Sequence, residues 1–241
     1  MEILAPVFGI FTSFILLYYL SSLNRSNVFL ALFFLCCNLV VLVYFGLHYS
    51  KIEFWEGVCF VHFLPLSFLL GPLLFFYVKY SVSEHKVFRQ IDTLHLLPAA
   101  FVVMVCWPFT SLPFDVKTKM AHEIVNITED YRLDFNWVTF EQLLYGRSIH
   151  LIIYAFSSVI YFFWNKQILI KKYGMIPSNH YVIKRWFFTL VFLQVLIASM
   201  SLGHMITLYT KPFAFLGISS IELFSEEHFF RICGGGFFIQ N

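Results

Sequence analysis

Six long apolar segments dominate the sequence and restrict what the chain can fold into. They cover residues 3–20, 28–47, 57–78, 93–110, 148–164 and 186–210. Each approaches the roughly 20 mostly apolar residues that a helix needs to cross the hydrocarbon core of a bilayer. Hydrocarbon offers backbone groups no partners, and strands of a membrane barrel would alternate apolar and polar residues, which these segments do not. The sequence therefore predicts an all-α fold, a polytopic transmembrane helix bundle with six spans.

Composition agrees with this assignment. Only 12% of the 241 residues are charged and 59% are hydrophobic, whereas soluble domains carry about 25% charged residues. The chain has too little polar surface to cover a water-soluble particle. The formal net charge of +2 is too small to argue for a nucleic-acid partner of the chain as a whole.

The end of the sequence departs from this regular pattern. An apolar stretch at 212–221 is short, and Glu222, Glu226, Glu227 and Arg231 follow it. We therefore divide the chain into a bundle over 1–210 and an incomplete seventh span with an irregular tail over 211–241. The expected origin of this ending is a natural truncation, a frameshift or a fragment.

The distribution of basic residues predicts the orientation. Connections after the first, third and fifth spans hold nine Lys and Arg residues, and the opposite connections hold six. The basic stretch 165–185 is the clearest part of this bias. Positive residues accumulate on the cytoplasmic side, so the N-terminus is predicted to lie outside.

Two connections are long enough to have a structure of their own. The predicted exterior segment 111–147 mixes acids with aromatic residues, and it is either a small sensing cap or a solvated connector. In the basic connection, residues 166–173 could extend the fifth helix into water as a stalk that ends at Gly174 and Pro177.

The sequence shows no catalytic or metal-binding pattern. His62, His95, His150 and His204 lie in or near different spans, without the spacing that a metal site requires. Each is better explained as a hydrogen-bonding residue between helices. Span centres carry no charge, which argues against a transporter. We therefore expect no catalytic, cofactor-binding or metal-binding residues, no cofactor, and a protein that is not an enzyme.

Three ordered segments carry a family resemblance. The third span ends with Leu-Gly-Pro-Leu-Leu-Phe-Phe-Tyr-Val-Lys at 70–79, the fourth begins with Leu-His-Leu-Leu-Pro at 94–98, and Ile-Pro-Ser-Asn at 176–179 precedes the sixth. This order resembles the N-terminal seven-helix membrane region of AraC-type transcriptional regulators of Bacteroidetes, over about residues 1–210. The residues that carry it are Gly71, Pro72, Tyr77, Lys79, His95, Pro98, Ser178, Asn179 and Trp186.

The resemblance implies a function for the bundle. It would be the signal-input region of a one-component regulator in a bacterial inner membrane, sensing an unknown small-molecule or membrane signal. DNA would be bound only through a C-terminal helix-turn-helix module, which this sequence lacks, and a homodimer is possible. The partner evident from the residues themselves is the lipid bilayer. The input region of a membrane histidine kinase is the alternative, and a small membrane transporter or enzyme is a third possibility.

Four of the motif residues have a physical role that can be predicted without the resemblance. Gly71 would let a neighbouring helix approach closely, and Pro72 would kink the third span. Lys79 would extend to the cytoplasmic headgroups. His95 would hydrogen-bond across to the third span.

Overall fold

The computed structural model describes residues 3–20, 25–48, 52–82, 89–126, 135, 137–173 and 177–209. These residues form a succession of helices. The helices are α1 (Leu4–Leu20), α2 (Arg25–His48), α3 (Glu53–Cys59), α4 (Leu64–Val82), a 3₁₀ helix (Gln90–Leu96), α5 (Leu97–Thr110), α6 (Phe114–Asn126), α7 (Phe140–Tyr173) and α8 (Pro177–Tyr209). The predicted all-α helical bundle is confirmed.

Five helical segments are long and apolar enough to cross a membrane, judged by length and composition. They are Ser26–Leu47, Leu64–Val82, Gln90–Thr110, Phe140–Asn165 and Arg185–Gly203. Helix α1 is also apolar, but its 17 residues are at the lower limit for a span. The described residues thus have the helix lengths and composition of a multi-pass membrane protein, with five segments of spanning length where the sequence predicted six.

The third predicted span, 57–78, is wrong at its start. A turn at residues 60–63 separates α3 from α4, and Val61 in this turn has a φ of 63°. A β-branched residue in this left-handed region cannot continue a right-handed helix. The spanning helix therefore begins at Leu64, and Gly57 lies on the separate short helix α3.

Helix α4 is the centre of the bundle. It packs against α2, α5 and α7, and its buried residues include Leu70, Leu74, Phe76 and Val78. The helix continues through Pro72. Helix α8 contacts α7 through Phe187, which stacks on Phe162 with ring centroids 4.4 Å apart.

The predicted stalk is confirmed as a helical extension. Helix α7 runs on to Tyr173, and α8 begins at Pro177, where proline is well tolerated because a first-turn amide has no intrahelical partner. The basic connection is therefore largely helical. The chain forms two compact units, Met1–Ala198 and Ser199–Asn241, and the boundary between them falls inside α8. The predicted tail 211–241 lies outside the described residues.

The segment predicted as either a cap or a connector contains a folded helix. Helix α6 packs against α3, and its Ala121 is fully buried in an apolar cluster with Phe60, Phe109 and Phe135. A solvated connector would not contribute to the core. We call α6, which docks on α3, the cap.

Apolar side chains cover the outside of the bundle. Exposed examples occur on α1 (Phe8, Phe11, Phe14), α5 (Phe101, Met104) and α7 (Ile153, Phe156, Phe163). Four tryptophans, Trp55, Trp107, Trp164 and Trp186, are also partly or largely exposed. Such faces are expected where lipid replaces water.

Candidate functional site

Two of the motif residues meet at Tyr154, in the middle of α7. A Cβ added to Gly71 of α4 would lie 2.9 Å from the Cβ of Tyr154, so glycine is what allows the two helices to approach. The Tyr154 hydroxyl is 2.7 Å from Nδ1 of His95. Phe75 of α4 packs on both rings. We call these four residues the Tyr154 cluster.

The predicted partner of His95 was wrong. His95 forms its hydrogen bond with α7, and its contacts with α4 are ring contacts to Phe75 and Phe76. The predicted close approach at Gly71 is confirmed. The partner of His95 was mispredicted because Tyr154, on α7, lies 59 positions away in the sequence.

His150 extends the Tyr154 cluster by one helical turn. Its ring lies 4.7 Å from that of Tyr154, as expected for residues four apart on one helix face. Both ring nitrogens are buried, and neither has a hydrogen-bond partner within the described structure. Buried polar atoms of this kind generally bind water or another polar group, so this is a polar position in an otherwise aromatic environment.

A second polar group lies where α4 ends and the 3₁₀ helix begins. Asp92 is 1% exposed and forms an ion pair with Lys79. It also accepts hydrogen bonds from the Tyr80 hydroxyl, at 2.5 Å, and from the Arg89 amide, at 3.0 Å. These contacts compensate the carboxylate for the water that it has lost. We call Lys79, Tyr80 and Asp92 the Asp92 network.

The structure corrects the predicted role of Lys79. Its ammonium group pairs with Asp92 instead of extending to lipid headgroups. Asp92 lies immediately before the predicted fourth span, and the helical segment in fact begins two residues earlier, at Gln90. The buried acid was therefore overlooked as a loop residue.

A third polar contact holds the cap on α3. Nδ1 of His122 on α6 donates a hydrogen bond to Oε2 of Glu56 on α3, with a distance of 2.7 Å between the two atoms. Next to it, Gly57 contacts Thr118 so closely that a Cβ would lie 2.4 Å from the threonine methyl group. Glu56 is 2% exposed. We call Glu56 and His122 the cap pair.

His62 lies in the turn between α3 and α4. Its Nδ1 is 2.9 Å from the carbonyl oxygen of Phe60, across the strained residue Val61. Burial lowers the pKa of His62, and the nearby Lys117 adds to this effect. The His62 ring therefore hydrogen-bonds within the turn itself, whereas the sequence predicted a hydrogen bond between helices.

The remaining motif residues have less specific surroundings. Tyr77 packs against two apolar clusters, and Pro98 lies in the first turn of α5. Trp186 is 40% exposed. Ser178 and Asn179 belong to the first turn of α8, and their side chains, like that of His204, lie outside the described part.

Sequence reasoning overlooked five residues of these polar groups: Glu56, Tyr80, Asp92, His122 and Tyr154. One signal was present in the sequence. Residues 114–126 carry Met120, Ala121, Ile124 and Val125 at helical spacing, a pattern that favours an amphipathic helix with His122 close to its apolar face. For Tyr154 no such signal existed, because tyrosine is common in this chain.

The chemistry available is hydrogen bonding and ion pairing between helices. Within the described ranges, no group of three or more His, Cys, Asp or Glu residues could hold a metal ion. The Tyr154 cluster connects α4, the 3₁₀ helix and α7, and the cap pair connects α3 to α6. No family model, no curated protein and no solved structure matches the chain.

Proposed function

We propose that the chain is the membrane-embedded signal-input region of an AraC-like one-component transcriptional regulator, in a bacterial inner membrane with the N-terminus outside. A single observation carries this proposal. Gly71 and His95, which belong to two separate segments of the ordered motif set, contact the same residue, Tyr154. Two of the three motif segments therefore supply residues to one helix junction, which supports the proposal.

The physical argument concerns how a signal could cross the bundle. An input device needs a packing arrangement that a signal can bias. The Tyr154 cluster joins three spanning segments through a hydrogen bond and a close helix contact, and the Asp92 network joins α4 to the segment that leads into α5. A shift of α7 would thus alter α4 and α5 together, and α7 continues beyond the span toward the basic connection.

In this proposal the cap lies outside and the basic connection lies in the cytoplasm. Within the resembled family the output is a helix-turn-helix module, and DNA would be bound only there. A homodimer would suit the reading of two half-sites. The bundle itself would contact lipid and an unidentified small-molecule or membrane signal, without catalysing a reaction.

The proposal is tested by transcription. We expect deletion of the gene from its host to change a limited set of transcripts, and complementation with the full gene to restore them. The DNA following the Asn241 codon, read in three frames, should encode two helix-turn-helix units. Kinase motifs there would favour the histidine-kinase alternative, and an unchanged transcript profile would contradict the proposal.

A further inference from the structure

The cap pair combines a buried acid with a solvent-accessible base. Glu56 is 2% exposed, whereas the side chain of His122 remains 47% exposed. The imidazole ring can therefore exchange protons with the medium while it contacts a carboxylate that water barely reaches. Both residues lie on helices outside the membrane-spanning segments.

The environment of His122 is acidic. The hydrogen bond to Glu56 is the largest influence and raises the pKa of His122; loss of water around the ring opposes it, and the charges of Glu56, Glu53 and Glu123 raise the pKa further. On α6 itself, Lys117 donates to the Thr110 carbonyl at 3.1 Å, and Asp115 and Lys119 are exposed. Residues 26–47 of α2, which also packs on α3, carry no charged side chain.

The direction of the pH effect follows from this raised pKa. When the cap is open, His122 loses its proton near the ordinary histidine value, and when the cap is docked it keeps the proton to higher pH. The charged pair thus contributes fully below the ordinary value. Its contribution is lost as the pH rises through the raised pKa of the docked form.

The consequence for Glu56 increases the effect. A buried carboxylate that loses its cationic partner is no longer compensated for the water it has lost, and this weakens the docked state. The apolar contacts of Ala121 and the close contact between Gly57 and Thr118 do not depend on pH. Rising pH therefore loosens a cap that apolar packing still keeps near α3.

We propose that α6 is a proton-responsive cap, docked on α3 when the adjoining medium is acidic and loosened when that medium becomes alkaline. The inference names protons as a signal for the input region, and in that respect it rests on the proposed function. The docking itself is a property of the chain and can be measured without any knowledge of the output.

Amide hydrogen exchange of the full chain in lipid nanodiscs tests the docking. Protection of residues 114–126, corrected for the intrinsic exchange rate, is compared at about pH 5.5 and about pH 8.5, on either side of histidine titration. We expect protection to fall by about two- to fivefold at the higher pH, the size typical of a partly exposed ion pair. Equal protection at both values would overturn the proposal.

Three variants isolate the pair. His122→Gln keeps a donor that does not titrate, so its protection should no longer depend on pH. Glu56→Gln keeps an acceptor without charge, so the wild-type transition should move to lower pH. Lys119→Gln removes a charge from the exposed side of α6 and should retain the wild-type ratio. A wild-type ratio in His122→Gln would show that another group is responsible.

The two proposals fail in different ways. A pH-dependent cap without any transcript change on gene deletion would contradict the proposed function alone. Transcript changes that accompany a pH-independent cap would contradict the proton-responsive cap alone.

Discussion

Glycines with close contacts mark the junctions between helices. Gly9 faces Asn38 of α2, Gly46 faces Cys59 of α3, Gly57 faces Thr118 of α6, and Gly71 faces Tyr154 of α7. In each case a Cβ would lie within 3 Å of a neighbouring atom. Helices in a membrane lack a hydrophobic driving force to associate, so small residues that allow close packing have a large share in holding them together.

Gly71 offers the sharpest residue-scale test. Gly71→Ala would place a methyl group 2.9 Å from the Tyr154 side chain, whose own helix restricts any adjustment. We expect the free energy of unfolding to fall by about 1–3 kcal/mol, as for overpacked cores. Reversible unfolding in mixed micelles measures this change. Gly146→Ala is the control, because a Cβ there meets nothing within 4 Å, and equal losses in both variants would contradict the assignment.

Polar residues inside the helices are mostly satisfied by their own backbone. Ser13, Asn38 and Ser157 each donate to the carbonyl four residues earlier, which lets a spanning helix carry a polar side chain without a partner from another helix. The Asp92 network is different, because its contacts join α4 to the 3₁₀ helix across a chain reversal. It determines how α5 enters the bundle.

Lys79 and Asp92 should therefore be energetically coupled. Lys79→Met would leave a 1% exposed carboxylate without its cation, and we expect a loss of about 3–5 kcal/mol in the free energy of unfolding. Lys79→Met combined with Asp92→Leu should cost less than the two single changes added together, since neither charge then remains buried alone. Additive losses in this cycle, measured by unfolding in mixed micelles, would contradict the ion pair.

On the scale of the whole molecule, α4 is surrounded by other helices while α1, α5 and α7 present apolar faces outward. Apolar side chains on the outer surface would be unfavourable only if water were the solvent. In lipid, the exposed Phe and Ile side chains cost nothing, and the polar contacts are gathered at the centre, at the Asp92 network and in the cap. The distribution thus supports a bundle with a lipid-facing perimeter.

Orientation can be tested with single cysteines. Ser111, between α5 and the cap, and Thr93, in the 3₁₀ helix, are both exposed and lie at opposite ends of the segment Gln90–Thr110. In a variant with the native cysteines replaced, we expect Ser111→Cys to react with a membrane-impermeant maleimide in intact spheroplasts and Thr93→Cys only after lysis. The reverse pattern would place the N-terminus in the cytoplasm.

The sequence by itself determined the all-α class and most of the spanning segments. The thickness of a bilayer requires a certain length of apolar residues, and both length and apolarity are local properties of the sequence. It also indicated the close approach at Gly71 and the helical stalk after residue 165. The break at Val61 was overlooked, although His62 and Pro65 interrupt the apolar run there, and a proline is common in the first turn of a helix.

Only the tertiary structure decided which side chains meet. His95 was expected to bond to the third span and bonds to Tyr154, and Lys79 was expected to reach lipid and pairs with Asp92. Glu56 and His122 are 66 positions apart and meet because α6 docks on α3. Such partnerships depend on the direction and rotation of whole helices, which packing over the entire bundle sets, and no local pattern of residues encodes them.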